Sequence, residues 1–303
     1  MSTVEPTLEP AAPGHPPVLR TLIRREFWEH RALWMAPLAV AALLLLGAIV
    51  GKVNFDFNLA ALPEQRRALF GAFMALAAVP QFITLLFIMV MYAGDCLYTE
   101  RKDRSILFWK SMPVSNTLTV VSKLLVVMAI VPLGVYLVSA VTTLLMSGIH
   151  VVRAWENHTG DVFWDAGTWL QIQGVSLEAV VAAVLWYAPI TAFLLLVSAW
   201  ARRSVWLWVF LPPVILIMME RIVLGSTHVW DILWYRLGGV FTHSGVNYPG
   251  FGNAAGQHPT LNLLFVNVDP IPVFSNIDLW LGVAVAALLI VATIRIRQYR
   301  DDT

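Results

Sequence analysis

Charge is scarce in this chain: Asp, Glu, Lys and Arg together make up 13% of its 303 residues. Soluble domains carry about a quarter. Hydrophobic residues fill the gap at 58%, and the mean hydropathy is +0.71. That composition excludes a disordered chain and an ordinary soluble two-domain protein, and it points to a membrane. Neither sign of charge prevails. With 20 Lys and Arg against 19 Asp and Glu, there is no broad basic surface for nucleic acid. Cysteine is nearly absent, and Cys96 alone excludes an intramolecular disulfide framework and a Cys-rich metal site. A cleavable signal is also missing. Residues 1–17 are rich in Pro and Ala, lack an early apolar run, and read as a short disordered cytoplasmic tail.

What is present is long apolar runs. A bilayer core of about 30 Å needs roughly 20 apolar residues in helical form. Stretches free of Asp, Glu, Lys and Arg lie at 32–51, 68–94, 124–152, 179–201, 204–219 and 279–294. The expected fold is therefore an all-α membrane protein with six transmembrane helices, residues 32–294. The fifth and sixth runs are short and are expected to borrow residues at their outer ends. Glu220 and Arg221 then fall at the outer interface, where an ion pair can snorkel.

Orientation follows from Lys and Arg in the short loops. With the N-terminus inside, fourteen of them fall in inner segments and six in outer ones. Both termini are therefore expected in the cytoplasm, with the chain in a bacterial-type inner membrane. The tryptophans fall at both edges of the spans, as aromatic belts do. Pro37, Pro80, Pro132, Pro189 and the Pro212–Pro213 pair lie in or near five of the spans and invite kinks.

Between the spans, residues 18–31 read as an interfacial amphipathic helix. Leu19, Leu22, Ile23 and Phe27 share one side, and Arg20, Arg24 and Arg31 take the other, toward anionic lipid headgroups. The outer segments are 52–67, 153–178 and 225–278. The last exceeds what a simple connection needs, and its first part, around Trp230–Tyr235, is expected to lie on the outer interface or re-enter the membrane.

The inner segment 95–123 is the most informative. A mixed-charge turn, Glu100-Arg101-Lys102-Asp103-Arg104, precedes the apolar run Ile106-Leu107-Phe108-Trp109, and then comes Ser111-Met112-Pro113-Val114-Ser115. A water-exposed loop needs no apolar run, so Ile106–Trp109 calls for either the bilayer surface or a protein partner. Glu100-Arg101, Ser105-Ile106-Leu107, Met112-Pro113-Val114-Ser115 and Lys123 together resemble the pattern of type-2 ABC exporter permeases. Ser105-Ile106 stands where Gly-Thr is frequent, and Met112 where Leu is. The six-span layout with its leading interfacial helix is similar to that family too.

The resemblance implies a dimer of permease chains, identical or related, with a cytoplasmic ABC ATPase dimer. The loop after the second span would be a coupling helix. Glu100, Arg101, Lys102, Asp103 and Arg104 would present charge to the ATPase, with Ile106, Phe108 and Trp109 packed beside it. Arg202 and Arg203 would form a second, smaller contact. The substrate path would run between two permeases along spans one, two and five, and Phe82, Phe87, Met89, Phe210 and Met218 suggest an amphiphilic cargo. ATP and Mg would belong to the partner subunit. A periplasmic partner is an alternative output.

Chemistry within the chain finds little support. Gly47–Lys52 is one residue short of a P-loop and lacks its Ser/Thr; Gly47 and Gly51 instead form a small-xxx-small pair suited to close helix approach. His228, His243 and His258 are spaced too widely for a compact metal motif. His243-Ser244-Gly245 and Gly94-Asp95 each lack a glycine that intramembrane proteases need. No catalytic or metal residue is expected, and no intramembrane ion relay of a secondary transporter is read. The rival reading is an intramembrane enzyme or a scaffold without an ATPase.

Overall fold

The structure, a computed structural model, describes residues 18–50, 63–102, 115–156, 164–243 and 274–299. Helix α1 (Val18–Glu29) ends at a break at His30 and Arg31, and α2 (Ala32–Val50) follows. Next come α3 (Pro63–Lys102) and α4 (Asn116–Leu125), the latter running through a π turn at Val126–Ile130 into α5 (Val131–Glu156). The chain continues as α6 (Ala166–Trp186), α7 (Ala188–Trp200), α8 (Val205–Val223), α9 (His228–His243) and α10 (Ile277–Tyr299). No strand occurs among the described residues. Among the described residues, six segments are long and apolar enough to cross a membrane: Ala32–Val50, Leu69–Lys102, Asn116–Arg153, Ala166–Trp186, Val205–Val223 and Ile277–Tyr299. The protein is an all-α membrane protein, as its composition requires.

Helix α3 is the axis of the bundle. Its Leu85, Ile88, Met89, Tyr92, Ala93, Cys96 and Leu97 recur at helical spacing and are buried against Val126, Val127, Val131 and Val135 on one side. Val180 and Val184 of α6, with Leu194 and Leu195 of α7, close the other. Lipid tails are as apolar as these side chains, so close packing and hydrogen bonds hold such helices together rather than water exclusion. Small residues permit that packing: Ala188, Ala192 and Ala286 make the α7–α10 seam. Gly94 admits the Trp206 ring of α8, which a Cβ there would meet at 3.3 Å.

Proline accounts for the two main irregularities. Pro132 has no N–H to give and its ring crowds the preceding turn; the helix widens just before it, with Val131 N–H reaching back to Val126 O. Pro189 sits in the first turn of α7, and the chain bends at Tyr187. The fourth span expected at 179–201 is thus corrected: helix begins at Ala166, and α6 and α7 meet at a kink whose flanking hydrogen bonds, Tyr187 N to Ala183 O and Thr191 N to Tyr187 O, both persist. The segments read from sequence as connections are also partly helical. Residues 95–102 and 116–123 belong to α3 and α4, 63–67 to α3, and 228–243 to α9. The tail 1–17 and the loop core 103–114 lie outside the described residues.

Candidate functional site

The chain's hydrophobic bundle holds a cluster of charge at one end, where α1, α3, α4 and α10 converge. Lys123 is fully buried, with its Nζ 2.7 Å from Glu26 Oε1 and 3.1 Å from Glu100 Oε1. Glu100, 3% exposed, also takes Arg25 Nη2 at 3.0 Å on Oε1 and Arg297 Nη2 at 3.0 Å on Oε2. Glu26 Oε2 accepts from the Tyr92 hydroxyl at 2.7 Å. Arg25 also pairs with Glu29, and His30 packs edge-on against Tyr92. Arg25, Lys123 and Arg297 thus face Glu26, Glu29 and Glu100, and the charges balance. Residues 25 and 297 meet on one carboxylate, so the first helix and the last stand at the same end of the bundle.

Charges this deep persist only because each is paired and hydrogen-bonded. Burial opposes the Arg25 cation, but its hydrogen bond to Glu29 and the charge of Glu100 outweigh it and hold the guanidinium above its ordinary range. Burial pushes His30 below the usual histidine value, and Lys123 pushes the same way against Glu26. His30 is therefore a neutral lining of the cluster at pH 7. Glu26, Glu29 and His30 lie close enough together to ligate a metal ion, but Lys123, Tyr92 and Arg25 already engage the two carboxylates.

A second contact stands beside the first. Arg101 Nη2 donates to Ser198 O and Ala201 O, so a cation caps the C-terminal end of α7. The Ser198 hydroxyl in turn accepts from Leu97 N and Tyr98 N of α3. On the other side, Ser115 caps α4 by accepting from Leu118 N, which starts the helix that carries Lys123. The two arms that enter and leave loop 103–114 are therefore tied to one another at Glu100 and Lys123.

The sequence-derived site residues divide accordingly. Within this chain Glu100 and Arg101 turn inward, Glu100 onto three cations and Arg101 onto the end of α7. Lys102, Arg202 and Arg203 are exposed at this same end. Asp103, Arg104, Ile106, Phe108 and Trp109 lie outside the described residues. The five cargo-path candidates do not share a surface. Met89 is core and Phe82 packs on that core, whereas Phe87, Phe210 and Met218 face outward. Among the described residues, nothing outside its own helix turn lies within 4 Å of where a Cβ on Gly47 would stand.

Sequence reading missed Glu26, Tyr92, Arg297 and the inward side of Arg25. Glu26 gave a usable signal, because it stands four residues after Leu22 on the apolar side of α1. Arg297 did likewise, continuing the buried row Leu279, Gly282, Ala286, Thr293 on α10.

At the opposite end, Glu220 does not pair with Arg221 as expected. It caps α9 instead, accepting from Ser226 Oγ, His228 N and Val229 N across a turn where Gly225 adopts φ 64°. Arg67 pairs with Asp165, and Arg153 donates to Ile49 O. Helix α9 runs from Glu220 to the kink in the fourth span, where Trp186 Nε1 donates to Arg236 O at 2.9 Å and the Tyr187 hydroxyl to Leu237 O at 2.7 Å. The segment thus packs on the Trp186–Tyr187 kink.

Comparison with family models, with characterised proteins and with solved structures gives no match to this chain.

Proposed function

We propose that this chain is the permease subunit of an ABC-type exporter, non-catalytic itself, coupling ATP binding and hydrolysis in a separate ATPase subunit to substrate movement across an inner membrane. The observation that carries the reading is the buried clamp at the base of loop 103–114. Glu100 and Lys123 join the two arms of that loop, and Arg25, Glu26 and Arg297 extend the connection to the first and last helices. A push on the loop would reach four helices as one body. A generic membrane loop has no need of such a base, since it can sit in water on two independent helix ends.

On this reading the clamped end is cytoplasmic, in keeping with the excess of Lys and Arg in the segments at that end. ATP and Mg belong to the partner. A second permease chain covers α2, α3 and α8, and the cargo passes between the two copies past Phe87, Phe210 and Met218, which face outward in a single chain.

The test is purification of the tagged full-length protein from its native host in mild detergent, with identification of co-purifying chains and an ATPase assay. Stoichiometric ATPase with wild type, lost in Phe108→Asp and weakened in Lys102→Glu, is the expected result. Absence of any ATPase across several mild detergents overturns the proposal and leaves the scaffold or intramembrane-enzyme reading in its place.

A further inference from the structure

Helix α1 has two sides with different tasks. Leu22 and Glu26 are buried, and Arg25 is spent inside the cluster on Glu100 and Glu29. Arg20 and Arg24 each stand two positions before a buried residue and Trp28 two after one, so at roughly 100° per residue all three fall on the opposite side. All three are exposed, and so is Arg31 just past the break. Among the described residues, Arg20, Arg24 and Arg31 have no ion-pair or side-chain hydrogen-bond partner. The exposed acid of the helix, Glu29, is taken up by Arg25.

The packing of α1 fixes where that outer side looks. Its partners lie along helix flanks rather than at tips: Tyr92 stands roughly 15 Å along α3 from its end at Lys102. Tyr92, Lys123 and Arg297 also lie within a turn of the points where the apolar runs 68–94, 124–152 and 279–294 stop. Helix α1 therefore lies against the side of the bundle at the boundary between hydrocarbon and headgroups, and its far side faces the surrounding lipid. Trp28, 65% exposed, and Trp34, 45% exposed, mark the same level.

We infer that Arg20, Arg24 and Arg31 bind the phosphates of anionic phospholipids in the leaflet at the clamped end, and that lipid held there steadies the ionic cluster. An exposed guanidinium without a partner has its whole fork free for two parallel charge-assisted hydrogen bonds to phosphate. The link to the cluster is the shared helix. Twelve residues are too few for a helix to persist alone in water, so α1 stays formed only while something holds it. Glu100 and Lys123 hold it from inside through Arg25 and Glu26. Headgroups on the outer side favour the same formed helix, so each hold strengthens the other by mass action. The inference stands apart from the exporter reading and applies to a scaffold as well.

The test uses the full chain in nanodiscs of phosphatidylcholine, with and without phosphatidylglycerol, and amide exchange read by mass spectrometry. Phosphatidylglycerol is expected to slow exchange over residues 18–31 of wild type by at least tenfold, at roughly fivefold for each arginine near an anionic surface. Exchange over residues 121–125, around Lys123, should slow with it. The triple variant Arg20→Gln/Arg24→Gln/Arg31→Gln leaves the cluster intact, so it should match wild type in neutral discs and lose the response to phosphatidylglycerol. Arg202→Gln/Arg203→Gln, which removes two exposed arginines at the same end, should keep the response. Exchange in wild type that ignores phosphatidylglycerol overturns the site. A response retained by the triple variant, or lost equally in the double one, overturns its assignment to these arginines. Slowing confined to α1, with none around Lys123, overturns the link to the cluster. If inorganic phosphate added to neutral discs slows α1 as much as phosphatidylglycerol does, the lipid source is overturned.

Discussion

Lys123→Met tests the ionic cluster most directly. Its Nζ is the one cation shared by Glu26 and Glu100, at 2.7 and 3.1 Å, and it is fully buried. Without it Glu100 keeps Arg25 and Arg297, but Glu26 keeps only the Tyr92 hydroxyl as a close donor. The substitution is apolar and fills much of the same volume, so lost packing is small and the cost is chiefly that of a carboxylate stranded away from water. Breaking one side of a buried pair costs about 3–5 kcal/mol. For a chain of this size that corresponds to a fall in thermal midpoint on the order of 10 °C. Intrinsic tryptophan fluorescence during heating in detergent reads it. The double variant Lys123→Met/Glu26→Gln restores charge balance while a Gln oxygen still accepts from Tyr92, so it should recover at least half of the loss. A midpoint within about 2 °C of wild type for the single variant, or a double variant no better than the single one, would refute the argument that these charges are buried and mutually compensated.

Three further outcomes follow from the same geometry. His30 is held below its ordinary value, so the unfolded chain binds the proton more readily; the stability it confers is complete above about pH 6.5 and is lost as pH falls through that value toward its folded one. Thermal midpoints between pH 5 and 8 should therefore fall on acidification more steeply in wild type than in His30→Asn, and parallel curves would count against this. Glu220→Ala removes three hydrogen bonds from the start of α9, and amide exchange in the first turn of that helix should speed up by about tenfold or more, because its capping acceptor is gone. Gly239→Ala drives a Cβ into the Trp186 ring, so α9 must shift away from the kink; a red shift of Trp186 emission, assigned by comparison with a Trp186→Phe background, checks it.

The legible part of the fold was the part that lipid dictates. Apolar length locates a span because a bilayer has one thickness, and five of the six spans came out within a few residues at their cores. The fourth went astray because Glu178 was read as a boundary, whereas it lies inside α6, and helix in a membrane protein can rise beyond the hydrocarbon. The π turn before Pro132 was legible only as an invitation to kink. The site was less legible for a different reason. A loop charge and a buried charge look alike in sequence, and reading Glu100 and Arg101 as part of a family-like motif pointed them toward a partner rather than into the bundle. Their direction depends on partners seventy or more residues away, Glu26 and Arg297, whose only local mark is a charge standing on an apolar row.

The cluster also divides the bundle mechanically. Buried ion groups add little net stability compared with apolar packing of the same volume, so stability alone does not explain placing six charges among α1, α3, α4 and α10. Geometry does distinguish them from apolar contacts: hydrogen-bonded ions fix register, whereas aliphatic surfaces slide. The clamped helices should thus move as a unit. Helix α8 stands in contrast, with only Val205 and Glu220 buried, an outward apolar face, and the Trp206 contact at Gly94 joining it to α3. On the proposed exporter reading, a push on loop 103–114 would carry the clamped group bodily, and the displacement would be taken up where α3 meets α8. The Lys123→Met variant should then uncouple ATPase stimulation from transport even at temperatures where it is folded, while Gly94→Ala, which presses on Trp206 without touching the ions, should alter transport and leave the thermal midpoint of the clamp nearly unchanged. If both variants shift coupling and stability in the same proportion, the clamp is a structural fastening and the division into a rigid group and a movable α8 fails.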